Sequence, residues 1–269
     1  MSPEPASLRW WGSVTLEEDD LRFWQIGPFK LWASRSAGEW RIVTERSADP
    51  LENAISIAVP SPPVEPGAGA VIRRYGFKRT DGSLRLSPLP ADRPVVARPE
   101  TPFSLAPGQE MAVYVSSPLW IGVAAGKPPI VLREEATYRP SDTWFGPSTM
   151  EGELGYAVRT AARLSLAEIP VRPHRAVSAV RIRNRAKGLL DLEKLKLPMR
   201  NLSVFGSADG RLWTEAVTLS REEDGDFAAL RLEKGPPPDA AGSTLITGPR
   251  DRPTRGLLIR AFGGVFGIS

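Results

Sequence analysis

The chain of 269 residues contains no cysteine and a single histidine, His174. Without thiols it can form no disulfide, thiolate zinc site or iron–sulfur cluster, and it has no cysteine nucleophile. A single imidazole also excludes a multi-histidine metal site within one chain. We therefore predict no metal site and no cofactor.

The hydrophobic segments that export and membrane insertion require are missing as well. No run of about 18 apolar residues occurs, and the N-terminus, MSPEPASLRWWG, lacks a basic start followed by an apolar stretch. We expect a cytoplasmic protein with no membrane partner. The net charge of only +4 is small for a nucleic-acid surface, so nucleic acid is not an expected partner.

Sequence signatures of common enzymes are absent too. There is no Gly-rich phosphate loop, no dinucleotide fingerprint and no nucleophile elbow. A Ser-His-Asp triad would have to use His174, and no serine context supports one. The first hypothesis is therefore a non-catalytic binding or interaction protein.

Proline and glycine, with 27 and 24 residues, are abundant and spread along the chain. Proline interrupts helices, and the segments between the prolines mostly alternate apolar and polar residues, as half-buried strands do. Gly27-Pro28 and Asp209-Gly210 each separate two such segments and predict hairpins. Residues 156–167 can be drawn as a helix, with a strand as the alternative.

This pattern predicts an all-β fold of two antiparallel β-sandwich domains of jelly-roll type, with little helix. We expect the domains at residues 1–135 and 145–269, joined by a linker at 136–144. Five of the eight tryptophans fall within residues 10–40. They could form a stacking platform for sugars or bases, but core packing is the favoured interpretation.

The predicted strand over residues 176–185 carries three arginines at alternate positions, Arg181, Arg183 and Arg185. Alternate side chains of a strand stand on one face of the sheet, where three guanidinium groups could bind phosphates or carboxylates. His174 and Arg175, just upstream, could join them. The alternative is a solvated strand face whose arginines pair with acidic neighbours.

A second candidate site is the segment 143–156, TWFGPSTMEGELGY, which combines aromatic residues, glycines and two carboxylates. Trp144 and Tyr156 could contribute to a saccharide-like ligand site. In an extended chain Glu151 and Glu153 share a side, so a carboxylate-dependent carbohydrate hydrolase is an alternative function. A domain junction with core aromatics is the structural interpretation, and a structural homo-oligomer subunit is a third possibility.

Several short motifs occur in the same order as in a known family. They are Pro118-Leu119-Trp120, Thr143-Trp144-Phe145-Gly146, Gly152-Glu153-Leu154-Gly155-Tyr156, Arg181-Ile182-Arg183-Asn184, Leu197-Pro198 and Leu202-Ser203-Val204-Phe205. Over about residues 100–215 the chain therefore resembles an uncharacterised prokaryotic family known only as a domain of unknown function. The resemblance implies no activity, cofactor or site residue. The partner left open by the sequence is a small anionic or saccharide ligand, or another protein.

Overall fold

The computed structural model describes residues 9–59, 65–146, 150–158, 162–252 and 257–263. These residues form strands and three 3-10 helices (Leu166–Glu168, Met199–Asn201 and Pro238–Ala240), with no α-helix among them, so the all-β prediction is confirmed. The strands are β1 Gly12–Thr15, β2 Leu21–Ile26, β3 Phe29–Ser36, β4 Glu39–Arg46, β5 Ile55–Ala58, β6 Val71–Gly76, β7 Ser83–Leu89, β8 Val95–Ala97, β9 Phe103–Leu105, β10 Glu110–Pro118, β11 Trp120–Ala125, β12 Ile130–Ala136, β13 Asp142–Phe145, β14 Glu153–Ala157, β15 Arg175–Asn184, β16 Leu190–Leu192, β17 Lys194–Leu197, β18 Val204–Gly206, β19 Leu212–Trp213, β20 Val217–Arg221, β21 Phe227–Leu232, β22 Thr244–Thr247, β23 Leu258–Arg260 and β24 Phe262–Gly263.

Two sheets enclose the first hydrophobic core. Sheet I has the strand order β5-β2-β3-β4-β6, and sheet II the order β1-β7-β11-β12. Alternate residues of both sheets meet in one cluster, which includes Trp24, Leu31, Trp40, Leu86 and Ile121. This alternation is what a sandwich requires, because each sheet turns every second side chain towards the other.

The second core lies between two further sheets. Sheet III has the order β22-β18-β19-β15-β20-β21-β23, with β10 paired to the other edge of β15, and sheet IV has the order β13-β14-β8-β17-β24. Val113, Val180 and Leu219 of sheet III meet Val95 and Leu195 of sheet IV in this core. The small pair β9–β16 adds Leu105, Leu190 and Leu192 to it.

The chain passes between the two cores in an unusual order. Strands β7 and β11 are neighbours in sheet II, yet β8, β9 and β10, which lie between them in sequence, belong to the second core. In particular, β10 pairs with β15 along nine residue positions. The domain division at residues 136–144 stays a prediction, and the pairing of β10 with β15 joins strands from its two sides. The jelly-roll connectivity stays a prediction too.

Both hairpins that the turn residues predicted are present in the structure. The Gly27-Pro28 turn joins β2 to β3 and the Asp209-Gly210 turn joins β18 to β19, both as antiparallel hairpins. Gly27 and Gly210 have φ values of +58° and +81°, a region that glycine adopts without steric cost. Four of the five N-terminal tryptophans are buried, and Trp11 is partly exposed. The helix over residues 156–167 is wrong where the chain is described, because β14 continues to Ala157.

In the described part of the chain, no helix has the length and apolar character needed to cross a membrane.

Candidate functional site

The predicted arginine row lies on β15, with its apolar neighbours turned inward. Val180 and Ile182 are buried in the second core, at 1% and 0% exposure, whereas Arg181 is exposed. Arg183 Nε donates to Glu110 Oε2 of the neighbouring β10 at 2.8 Å. The row therefore faces outward as expected, and Glu110 neutralises the charge of Arg183, the middle arginine.

The third arginine of the row also has an acidic partner. Arg185 Nη1 lies 3.6 Å from Glu222 Oε1, and both side chains are about half exposed. Arg183 and Arg185 border an open groove of about 1240 Å³ on sheet III. The other charged residues of the groove include Glu215, Arg231, Glu233, Lys234 and Arg252, so both signs are mixed along it. Mixed charges weaken the attraction that the groove offers to an anion.

The aromatic candidates Trp144 and Tyr156 belong to sheet IV rather than sheet III. Trp144 is 43% exposed, and Gly152 lies so close that a Cβ atom there would be 2.3 Å from the indole Nε1. Glycine is required at 152 for this close approach. The segment thus combines a partly exposed indole with a backbone that passes close to it.

Tyr156 is buried rather than available for stacking. Its ring packs against Trp120 with centroids 5.4 Å apart, and its hydroxyl donates to Asp92 Oδ1 at 2.9 Å. Burial, with the Asp92 carboxylate as a second cause, raises the pKa of the Tyr156 phenol. Tyr156 lines a cavity of about 560 Å³ together with Trp120 and Arg93, away from the arginine row in sheet III.

The two candidate carboxylates are exposed. Glu153 Oε2 accepts a hydrogen bond of 2.6 Å from Lys196 Nζ, and this ammonium group lies 5.7 Å from the ring centre of Phe145. Lys196 belongs to β17, so the ion pair connects β14 to β17 across β8. This arrangement gives Glu153 a structural contact, and Glu151 lies two residues before β14 in the connection from β13.

A pocket that sequence reasoning did not identify lies where the two sandwiches meet. It has a volume of about 420 Å³. We call it the arginine pocket; it is lined by Pro50, Leu51, Glu100, Ser116, Tyr138, Pro140, Val158, Arg163, Glu168, Ile169, Pro170, Arg172 and Arg175.

Arg175 is the most buried charged group of the arginine pocket, with 5% exposure. It begins β15, and its Nε donates to Ser116 Oγ of β10 at 2.9 Å, while Nη2 donates to the Ser116 carbonyl. Burial lowers the pKa of the Arg175 guanidinium to about 10, and the positive charge of Arg172 acts in the same direction. The guanidinium is thus a desolvated cation beside a cavity.

Two further arginines of the described chain line the arginine pocket. Arg172 is half-buried and donates to the carbonyl of Leu51, which ties the loop after β4 to the loop before β15. Arg163 forms an ion pair with Glu100. The hydrogen bond of Arg172 engages a neutral carbonyl, so its positive charge still acts on the pocket.

His174 turns away from the pocket and into the first sandwich. It is 0% exposed, and it fits because Gly27 has no side chain: a Cβ atom there would lie 2.1 Å from His174 Nδ1. A hydrogen bond with the backbone of Pro50 acts to raise the pKa of the ring, but the other causes outweigh it. Burial, followed by the charges of Arg175 and Arg172, lowers the pKa of His174 to about 3. The imidazole is therefore neutral at physiological pH.

Sequence reasoning named His174 and Arg175 only as additions to the exposed row. Arg175 has the same strand parity as Arg181 and Arg183, and the register of β15 with β10 is continuous, so the three share one face of β15. The only available signal was the apolar loop before the strand, residues 166–171, LAEIPV. Nothing in the sequence indicated that this loop covers one end of the strand face.

Comparison with known proteins identifies a family. No curated protein and no solved structure matches the chain. A family model described as "Protein of unknown function (DUF432)" matches residues 10–267. The match contains the whole stretch 100–215 on which the motif resemblance was based, and it confirms that resemblance. The chain belongs to this family, DUF432, whose members are proteins of unknown function.

Proposed function

We propose that this protein binds a small anionic ligand in the arginine pocket, and that it acts as a binding protein. The observation that carries the proposal is the guanidinium of Arg175, which is 5% exposed and yet lines a cavity. A cation withdrawn from water loses hydration energy. An anion bound beside it restores a favourable interaction, and a guanidinium group can hold a carboxylate or phosphate through two parallel hydrogen bonds.

The electrostatics of the pocket support an anion over a cation. Arg172 lies close enough to Arg175 to lower its pKa, so the two arginines create a locally positive potential. In such a partly enclosed, low-dielectric site each charge–charge interaction is stronger than on the open sheet. By contrast, Arg183 and Arg185 are paired with Glu110 and Glu222 and border an open groove, where water solvates their charges.

A saccharide-like ligand receives less support, because a neutral sugar needs an open aromatic face. Trp144 offers a partly exposed indole, but Tyr156 is covered. The hydrolase with Glu151 and Glu153, the oligomer subunit and the cytoplasmic location stay predictions from the sequence. Glu153 is engaged by Lys196, a contact that favours its structural interpretation.

The test is isothermal titration calorimetry of the full chain with acetate, inorganic phosphate and glucose. We expect heat from at least one anion and none from glucose. Arg172→Gln should weaken anion binding by about 10-fold or more, since it removes a charged hydrogen-bond donor. Arg73→Gln is the matched control, because Arg73 is exposed on β6 and should leave affinity unchanged.

A triple variant, Arg181→Gln with Arg183→Gln and Arg185→Gln, distinguishes the two locations. If the triple variant loses anion binding while Arg172→Gln keeps it, the ligand lies on sheet III and the pocket assignment is wrong. If neither anion binds the unmodified chain, the proposed function is wrong. Binding of glucose that survives Arg172→Gln would favour the saccharide alternative.

A further inference from the structure

The charges around the arginine pocket suit an anion of low charge. Among the described residues, three arginines line it together with two glutamates, Glu100 and Glu168, and these five side chains have a net charge of +1 if all are ionised. Arg163 is already paired with Glu100. A phosphate group carries about −1.5 to −2 at neutral pH and would exceed this balance, whereas a single carboxylate matches it.

The uncharged part of the lining is mostly hydrocarbon. Val158 and Ile169 are buried, at 8% and 2% exposure, and proline rings at positions 140 and 170 belong to the same lining. Leu51 lies on the pocket too and is 55% exposed. Pro170 is exposed as well, so a fully hydrated inorganic anion would leave Leu51 and Pro170 in contact with water, whereas an apolar group would cover them.

The dimensions permit a ligand larger than an inorganic ion. Small-molecule sites in proteins typically have volumes of about 300–1,000 Å³ and combine an apolar lining with a few polar groups that fix orientation. At about 420 Å³, the arginine pocket falls within this range. Its polar groups converge at Arg172, Arg175 and Ser116, which leaves the remaining wall for hydrocarbon.

We infer that the ligand is an amphiphilic monocarboxylic acid, whose carboxylate lies against Arg172 and Arg175 and whose apolar body lies against Leu51 and Pro170. This inference rests on the proposed function and names the ligand class of the same site. The two guanidinium groups supply the positive charge that a carboxylate requires. The apolar wall supplies affinity that grows with the hydrocarbon area removed from water.

The closing experiment is calorimetry of the unmodified full chain with butanoate, hexanoate and octanoate, and with 1-hexanol and inorganic phosphate. Each methylene that enters the pocket should tighten binding by about 4-fold, so hexanoate, with two more methylenes, should bind more tightly than butanoate by about 15-fold. Inorganic phosphate and 1-hexanol should bind more weakly than hexanoate, since the first lacks the apolar body and the second lacks the carboxylate.

A variant of the apolar wall gives a second readout. Leu51→Ser should reduce the gain from hexanoate to octanoate, because a hydroxymethyl group offers less hydrocarbon contact. Leu245→Ser is the matched control, since Leu245 is similarly exposed, at 61%, and lies on β22. Arg172→Gln should weaken all three carboxylates by a similar factor.

The possible failures separate the two proposals. If phosphate binds and the carboxylates show no gain with chain length, the anion-binding function stands and the monocarboxylate inference is overturned. Equal binding of 1-hexanol and hexanoate would also overturn it, because the carboxylate would then play no part. If no anion produces heat, both the inference and the proposed function are wrong.

Discussion

One face of β15 carries arginines near both of its ends, and the two ends have opposite surroundings. Arg175 at the start of the strand is covered and 5% exposed. Arg181 and Arg183 near its end are open to solvent, and Arg183 pairs with Glu110. At the first end, Ile169 and Trp213 pack in a small apolar cluster with Val177 of the same strand face, and this cluster forms the cover.

The difference shows that the cover, rather than the residue type, determines what an arginine can do here. A surface guanidinium keeps its water and gains little from an ion pair, about 0–1 kcal/mol. A covered guanidinium has lost that water, so its interactions with a neighbouring anion are much stronger. A pattern of arginines at alternate positions is therefore insufficient to locate a binding site.

Removing the cover is the change with the largest expected effect on this comparison. Ile169→Ala should lower the free energy of unfolding by about 2 kcal/mol, the low end of the range for buried isoleucine, because Ile169 is 2% exposed in a small cluster. Urea denaturation measures the change. Leu164→Ala is the control from the same loop: Leu164 is 58% exposed, and its loss should cost at most about 0.5 kcal/mol. Equal effects of the two substitutions would mean that Ile169 does not cover the strand.

The pH dependence of stability tests the surroundings of His174, which directly precedes Arg175 at the covered end of β15. Its pKa falls from 6.5 to about 3 on folding. Between these pH values the imidazole is protonated in the unfolded chain and neutral in the folded chain. The contribution of His174 to the free energy of unfolding is therefore fully present above about pH 6.5. It is lost as the pH decreases towards 3, by about 1.4 kcal/mol per pH unit.

We expect His174→Gln to remove this contribution. Between about pH 6 and pH 5 its free energy of unfolding should decrease by about 1.4 kcal/mol less than that of the unmodified chain. Urea denaturation at both pH values gives the difference, and the carboxylates contribute equally to both proteins. Parallel pH profiles would contradict a neutral buried His174.

The smallest effect is expected at the open end of the strand face. Glu110→Gln removes the ion pair with Arg183, whose side chains are 55% and 29% exposed. The free energy of unfolding should change by at most about 0.5 kcal/mol, because water solvates both groups. Chemical denaturation at low and high salt measures it. A loss above about 2 kcal/mol would show that the open end is energetically similar to the covered one.

The local parts of the fold could be predicted from the sequence. The hairpin turns at Gly27 and Asp209-Gly210, and the inward side chains Val180 and Ile182, all follow from turn chemistry and from the two-residue period of strands. The parallel pairing of β15 with β19 and β20 could not be predicted. It depends on which distant strands meet, and alternation is identical in parallel and antiparallel neighbours.

The candidate site was harder to predict than the hairpins, because it depends on contacts between residues that are far apart in the sequence. The arginine pocket combines Leu51, Ser116, Val158 and Arg175, which lie far apart in the chain. Sequence patterns relate residues that are close along the chain, so they indicated the exposed row and named Arg175 only as an addition to it. The hydrogen bond from Arg172 to the Leu51 carbonyl, 121 positions away, illustrates how distant the partners are.

The placement of β8 to β10 in the second core has a consequence for how the protein folds as it is synthesised. When β10 leaves the ribosome, its partner β15 has not yet been made; the Glu110–Arg183 contact spans 73 positions. In sheet II, β7 pairs with β11, which is synthesised only after β8, β9 and β10. The strands of sheets I and II are all made once β12 has been synthesised, whereas β10 must wait for β15. Nascent chains therefore expose the unpaired edge of β10 until β15 emerges, and aggregation competes with folding during that time.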